Sequence, residues 1–155
     1  MDFSDLLKRF TAAVEAGDGR ATATCFTEDA VYHDYIYGAF KGREAIRNMV
    51  EDYFSRDAKD YKWEMFDPVS DDKIGYASYR FSFTSTMPRF AGKRVVMEGI
   101  CRFEIGKDGL LRKYSESVNG GIAMSQLGVR PEKMADVFAR LAEKLRTRKD
   151  FKDHL

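Results

Sequence analysis

A chain of 155 residues has room for one domain built on one sizeable core. Its 26 basic and 25 acidic residues leave a formal charge of +1, so no global field draws it to nucleic acid or to an anionic membrane. No apolar run approaches the length needed to span a bilayer.

The first stretch, "MDFSDLLKRF", is acidic and then amphipathic, without the basic, apolar and cleavage regions of a signal peptide. Phe3, Leu6, Leu7, Phe10 and Val14 recur at helical spacing, and Gly17 closes that helix. Asp18 is expected to cap a second, shorter helix running through Phe26, with Ala21 and Cys25 on one side. Residues 30–36 read as extended, and Gly38 and Gly42 bracket a loop around Phe40. A third helix begins at Arg43, its stripe formed by Ile46, Met49, Val50, Tyr53 and Phe54.

Beyond it the period changes to two. Strands are expected at 60–67, 73–86, 93–106 and 110–119, separated by Pro68 with "SDD", by "AGK" and by "GKDG". After the Gly-bounded link "GGIAMSQLGVRPEK", a final amphipathic helix carries Met134, Val137, Phe138, Leu141 and Leu145. Helices first and a meander of long strands after them predict an α+β fold, with helices covering one face of a curved antiparallel sheet. The two cysteines, Cys25 and Cys101, lie far apart without metal-ligand spacing and fit reduced thiols in a cytoplasmic protein.

Alternation assigns the faces of that sheet. In 93–106 the odd positions Val95, Met97, Cys101, Phe103 and Ile105 are apolar or small, while Glu98, Arg102 and Glu104 fall between them. The same parity puts Ala77, Tyr79, Phe81 and Phe83 inside, with Trp63 and Met65 on the preceding strand. In the last strand Lys113, Ser115 and Ser117 face out, so Tyr114, Glu116 and Val118 face in. A carboxylate at Glu116 is therefore aimed at an apolar interior.

Three stretches resemble one known group of proteins. "FTAAVEAGDGRATATCFTEDAVYHD", residues 10–34, resembles the N-terminal segment of ketosteroid isomerases, with "AGD" between helices and "F-x-x-D-A" leading into the first strand. "GREAIR", residues 42–47, resembles the third-helix start of SnoaL-like proteins, and "FEIGKDGLLRKYSES", residues 103–117, their closing hairpin. The resemblance, over about residues 3–125, is to the nuclear transport factor 2-like superfamily, SnoaL-like and ketosteroid isomerase-like. It implies a cone-shaped (cystatin-like) fold. Residues 1–130 would form a SnoaL-like domain, and 131–155 would add a C-terminal amphipathic helix and tail to that same domain. It further implies a homodimer through the outer sheet face, no cofactor, and a base at Asp34.

An acid facing an aromatic cavity loses hydration, its pKa rises, and it can exchange protons near neutral pH. Asp34 and Glu116 are the candidate catalytic acids. Phe10, Phe26, Tyr32, Phe54, Trp63 and Met65 are candidate ligand contacts, as are Tyr79, Phe81, Met97, Cys101, Tyr114 and Val118. A strand-end or capping role for Asp34, and a hydrogen bond from Glu116 to Tyr32 or Tyr114, are the plain structural alternatives. Ketosteroid isomerases hold the developing oxyanion with a Tyr and a protonated Asp. The resembling positions here are Phe10 and Cys101, so steroid isomerisation by that route is not expected.

The expected function is a pocket for a small apolar molecule. Its chemistry would be cofactor-independent acid–base proton transfer on a carbonyl compound, of isomerase or cyclase type. The alternative is a non-catalytic binding module for a hydrophobic ligand or a partner peptide. An epoxide or ester hydrolase would need an Arg in the pocket, and parity turns Arg80 outward. His33 and His154 are the only histidines, so no metal site is expected. Acids interrupt the basic tail "EKLRTRKDFKDHL", which reads as a solvated helix end.

Overall fold

Carboxylates cap the first two helices. In a computed structural model describing residues 2–155, Asp2 Oδ2 accepts from the Ser4 N–H at 3.1 Å at the start of α1 (Phe3–Glu15). Asp18 Oδ1 accepts from the Ala21 N–H at 2.8 Å at the start of α2 (Gly19–Thr24). The apolar face of α1 buries Leu6, Leu7, Phe10 and Val14.

The second helix is shorter than its sequence suggests. The Cys25 carbonyl accepts from the Leu111 N–H at 2.9 Å, which draws the chain into β1 (Phe26–Asp34) before Phe26. The expected loop around Phe40 is a strand, β2 (Gly38–Lys41), hydrogen-bonded antiparallel to β1. Gly38 and Gly42 at its two ends have φ of +87° and +85°, a conformation that bulkier residues resist.

Helix α3 (Arg43–Asn48) continues as a π-helical turn, Met49–Phe54, and ends in the short α4 (Ser55–Asp57). Ile46, Met49, Val50 and Phe54 are buried, while Tyr53 stays 39% exposed against Phe40 and Tyr37.

Four long strands follow: β3 (Ala58–Ser70), β4 (Ile74–Ser85), β5 (Arg94–Ile105) and β6 (Leu111–Val118). With the first two they form one six-stranded sheet in the order β2-β1-β6-β5-β4-β3. One pairing departs from the expected antiparallel meander: β1 runs parallel to β6, with Tyr32 opposite Tyr114. This parallel contact brings the ends of β1 and β6, and so their two acids, to the same end of the sheet.

The register of β3 on β4 shifts twice, between Lys59 and Lys62 and between Phe66 and Val69. Asp60 and Asp67 sit in these bulges with φ of 53° and 51°, and bulges of this kind bend a sheet. The fold is thus α+β, with one curved sheet packed on its helices. The parity assignments for β3 to β6 agree with burial: Ala77, Tyr79, Phe83, Val95, Cys101, Phe103 and Tyr114 are buried, and Arg80 and Glu98 are exposed.

The chain ends with α5 (Gly120–Leu127), α6 (Pro131–Arg146) and a 3-10 segment, Lys149–His154. No residue of α6 is fully buried; Met134, Val137 and Leu141 are half-buried along one stripe. Among the described residues no helix is long and apolar enough to cross a membrane.

Candidate functional site

The ends of β1 and β6 meet the middle of β4 around a cavity of about 220 Å³. Tyr32, Asp34, Tyr114 and Glu116 form its deep wall, and Trp63, Tyr79, Phe81 and Met97 its sheet wall. Phe54 closes it from the end of the π-helical turn, Asp57 from α4, Tyr61 from the start of β3, and Tyr37 from the turn after β1. No Lys, Arg or His lines this cavity.

Glu116 is the centre of its polar network. Oε2 accepts from the Tyr79 hydroxyl at 2.9 Å and the Tyr114 hydroxyl at 3.1 Å, and Oε1 accepts from the Tyr35 N–H at 3.2 Å. Behind it, the Cys101 thiol donates to the Tyr114 oxygen at 3.4 Å, and Tyr32 stacks on Tyr114 with ring centroids 4.3 Å apart. Burial pushes the Glu116 carboxyl above its ordinary value, and the neighbouring charge of Asp34 pushes it further. The three donors pull the other way without cancelling the rise.

Asp34 Oδ1 accepts from the N–H groups of Ile36 and Tyr37 at 2.7 and 2.9 Å, a local turn that closes the end of β1. Both bonds land on one oxygen. Among the described residues, Oδ2 engages in no hydrogen bond. Burial raises this carboxyl too, against the two backbone donors. The phenols of Tyr32, Tyr79 and Tyr114 are all held above their usual range, chiefly by burial. They are therefore neutral donors at physiological pH.

A second polar pair lies at the α4 side. The Tyr37 hydroxyl donates to Asp57 Oδ2, and Arg56 grips Asp57 through Nε and Nη2 at 2.7 and 2.8 Å. The Arg56 guanidinium holds Asp57 below the usual carboxylate range. One acid of the cavity is thus kept ionised, while the other two are pushed toward the neutral form.

A family model described as the SnoaL-like domain matches residues 7–114. The chain belongs to the SnoaL-like family. Solved structures extend the likeness. TsrD from Streptomyces laurentii superposes with a TM-score of 0.70 at 22% identity, covering 84% of this chain and 99% of that one. A protein with a ketosteroid isomerase-like fold from Catenulispora acidiphila, in complex with trimethylamine, gives 0.71 at 12% identity, over 81% and 94%. The epoxide hydrolase/cyclase-like enzyme SalBIII, which acts in pyran ring formation in polyether salinomycin, gives 0.62 at 18% identity, over 75% and 89%. At these identities the likeness is one of fold. No curated protein sequence matches the chain.

On this SnoaL-like scaffold the residues singled out from sequence divide in two. Asp34, Glu116, Tyr32, Phe54 and Trp63 lie on the cavity wall, with Tyr79, Phe81, Met97 and Tyr114. The other five do not. Phe10, Phe26 and Cys101 are fully buried in the core behind that wall. Met65 faces a shallow groove beside α1, and Val118 packs against the core from the end of β6.

Sequence reasoning missed Tyr37, Asp57, Tyr61, Met87 and Leu127 as wall residues. Tyr61 shares the odd parity of Trp63, so alternation carried a signal for it. Asp57 lies in a helix end and had none. Trp63 Nε1 is the one buried side-chain polar atom left unpaired among the described residues. The Trp63 ring meets those of Phe10, Tyr79, Phe81 and Tyr114 edge to face, with ring centroids 5.0–6.3 Å apart.

Proposed function

We propose that the protein binds a small, largely apolar carbonyl compound in the central cavity and moves a proton on it, as an isomerase or cyclase of the cofactor-independent kind. The observation that carries this reading is the arrangement of Glu116, two phenols and Asp34 in one aromatic cavity. Glu116 holds the hydroxyls of Tyr79 and Tyr114, and Asp34 keeps one oxygen unbonded.

Asp34 Oδ2 removes a proton from the carbon beside the carbonyl. Negative charge then develops on the carbonyl oxygen, and this cavity has no cation to meet it. Glu116 resolves that in its protonated form. Its O–H donates to one phenolic oxygen, which turns the hydrogen of that phenol toward the ligand. Asp34 returns the proton to a different atom, giving an isomer. In the cyclase variant the enolate carbon bonds to a second carbonyl carbon of the same ligand, whose C=O π pair moves onto its oxygen and takes the proton from Asp34 as the ring closes. An oriented acid or base of this kind contributes about 100- to 10,000-fold in rate.

The cavity, the acid pair and the likeness to SalBIII support this class of chemistry. An epoxide or ester hydrolase receives no support, because Arg80 is on the outer face, paired with Glu64 at 3.3 Å. A second reading, a non-catalytic ligand pocket, is favoured by the structural role each acid already has: Asp34 closes a turn through Oδ1 and Glu116 has three donors.

Proton exchange separates the two readings. Cyclic ketones and 1,3-diketones are incubated with the protein in heavy water and deuterium uptake beside the carbonyl is followed by NMR. Enzyme-dependent uptake is expected, falling about 100-fold or more in Asp34→Asn. Equal uptake by wild type, Asp34→Asn and Glu116→Gln would leave the binding module as the correct reading.

We also assign the outer sheet face as a homodimer surface. Val96 and Ile100 are more than half exposed there, among charged neighbours such as Glu104, which is paired with Arg102 and Arg112. A monomer at micromolar concentration in light scattering would refute the assignment. Cys25 and Cys101, both free and buried, fit a reducing compartment such as the cytoplasm.

A further inference from the structure

The central cavity is small for its family of uses. At about 220 Å³ it falls below the roughly 300–1,000 Å³ of ordinary ligand pockets. A second space, of about 620 Å³, lies beside it under α6, whose Val137, Arg140, Leu141 and Lys144 supply one side. These four stand at i, i+3, i+4 and i+7, on one face of the helix. The two spaces share Tyr35, Ile36, Phe83, Met87, Met97 and Leu127 as walls. Met87 and Met97 are unbranched and repack easily, which makes the shared wall a movable one.

The two spaces have opposite charge. Asp34, Asp57 and Glu116 line the first, with no basic residue. Arg140 and Lys144 line the second, with no acidic residue. Neither of these cations has an ion-pair partner among the described residues. An anionic group therefore finds cations at the outer space and none at the inner one. Both α5 and α6 lie beyond residues 7–114, so the helical side of this outer space, with both of its cations, comes from the part of the chain outside the family match.

We propose that the two spaces act as one elongated site for an apolar acyl chain with a carboxylate at its outer end, held by Arg140 and Lys144. The chain passes the Met87–Met97 wall and presents its reactive carbonyl between Asp34 and Glu116. This assignment of substrate class rests on the reading of the central cavity as the place of proton transfer.

The test is calorimetric binding of hexanoate, octanoate, decanoate and methyl decanoate to the whole protein and to an Arg140→Gln/Lys144→Gln variant. Both positions are exposed, so the double variant keeps its packing. Affinity is expected to rise with length, by up to about three- to fourfold per buried CH₂. Decanoate is expected to bind roughly three- to tenfold more tightly than its methyl ester. The double variant should erase that preference and leave ester binding unchanged. Equal binding of hexanoate and decanoate, equal binding of acid and ester, or no binding of any of them would overturn the proposal. The acid-over-ester preference and its loss in the Arg140/Lys144 variant report on the outer space, whereas deuterium exchange in wild type and Asp34→Asn reports on the inner one, so failure of the two-space site and failure of the proton-transfer reading give different results.

Discussion

The Tyr79 hydroxyl donates to Glu116 Oε2 at 2.9 Å, tying the middle of β4 to the end of β6 across the intervening strand β5. Two strands apart in the sheet, the pair meets because both side chains face the interior and Gly99 of β5 leaves room between them. A Cβ at Gly99 would lie 2.8 Å from the Tyr79 ring and 2.5 Å from the Ser117 carbonyl.

That bond should be measurable in stability. Tyr79→Phe removes a donor to a buried carboxyl group and is expected to cost about 1–3 kcal/mol in urea unfolding. Because the phenol holds the Glu116 pKa down, its loss should also move the Glu116 titration upward. A double-mutant cycle with Glu116→Gln should give a coupling of about 0.5–3 kcal/mol. Simple additivity would show that the two groups do not act on each other.

Gly99→Ala should strike the same network from the other side. The added methyl group meets backbone as well as the Tyr79 ring, and overpacking of this sort costs about 1–3 kcal/mol. Equilibrium unfolding checks the cost. A neutral substitution would mean that the sheet relaxes freely at this point.

Stability should depend on pH with a sign opposite to that of an ordinary salt-bridged acid. Glu116 and Asp34 have folded values above their unfolded ones, so between the two values the native state binds more protons. Their contribution is complete below the ordinary carboxylate range and is lost as pH rises through the raised values. Asp57, lowered by Arg56, works in the reverse sense and loses its contribution as pH falls. Glu116→Gln cannot ionise. Its melting temperature should therefore improve relative to wild type as pH rises above the ordinary carboxylate range. A difference that stays constant over that rise would contradict the raised value.

The two thiols should be silent in the native state. Cys25 and Cys101 are 1% and 0% exposed, and burial raises both. Iodoacetamide should label neither in native buffer and both in denaturant, as read by mass spectrometry. Rapid native labelling of Cys101 would mean that the core behind Tyr114 opens.

Much of this architecture is legible from alternation alone. Glu116 faces inward because Lys113, Ser115 and Ser117 cannot, and the same logic places Tyr79, Trp63 and Phe81. Parity does not, however, tell a cavity wall from a solid core. Phe10, Phe26 and Cys101 point inward as required and simply end in packed regions. The four-residue β2 is too short for a period to show, and its flanking glycines read as a loop. Parallel pairing of β1 with β6 joins segments far apart in sequence, through backbone bonds that side-chain pattern does not encode. The Tyr37–Asp57 pair is of the same kind, because it depends on where α4 stops.

The most direct measurement is a carbon-detected NMR titration of the Asp34 and Glu116 side-chain carboxyls in the ligand-free protein. The expected result is that both titrate above the ordinary values of 3.8 and 4.5 and that each responds to the other's ionisation, so that Asp34→Asn lowers the Glu116 midpoint. Two independent titrations at ordinary values would contradict the account, leaving the two acids as structural groups in a binding pocket.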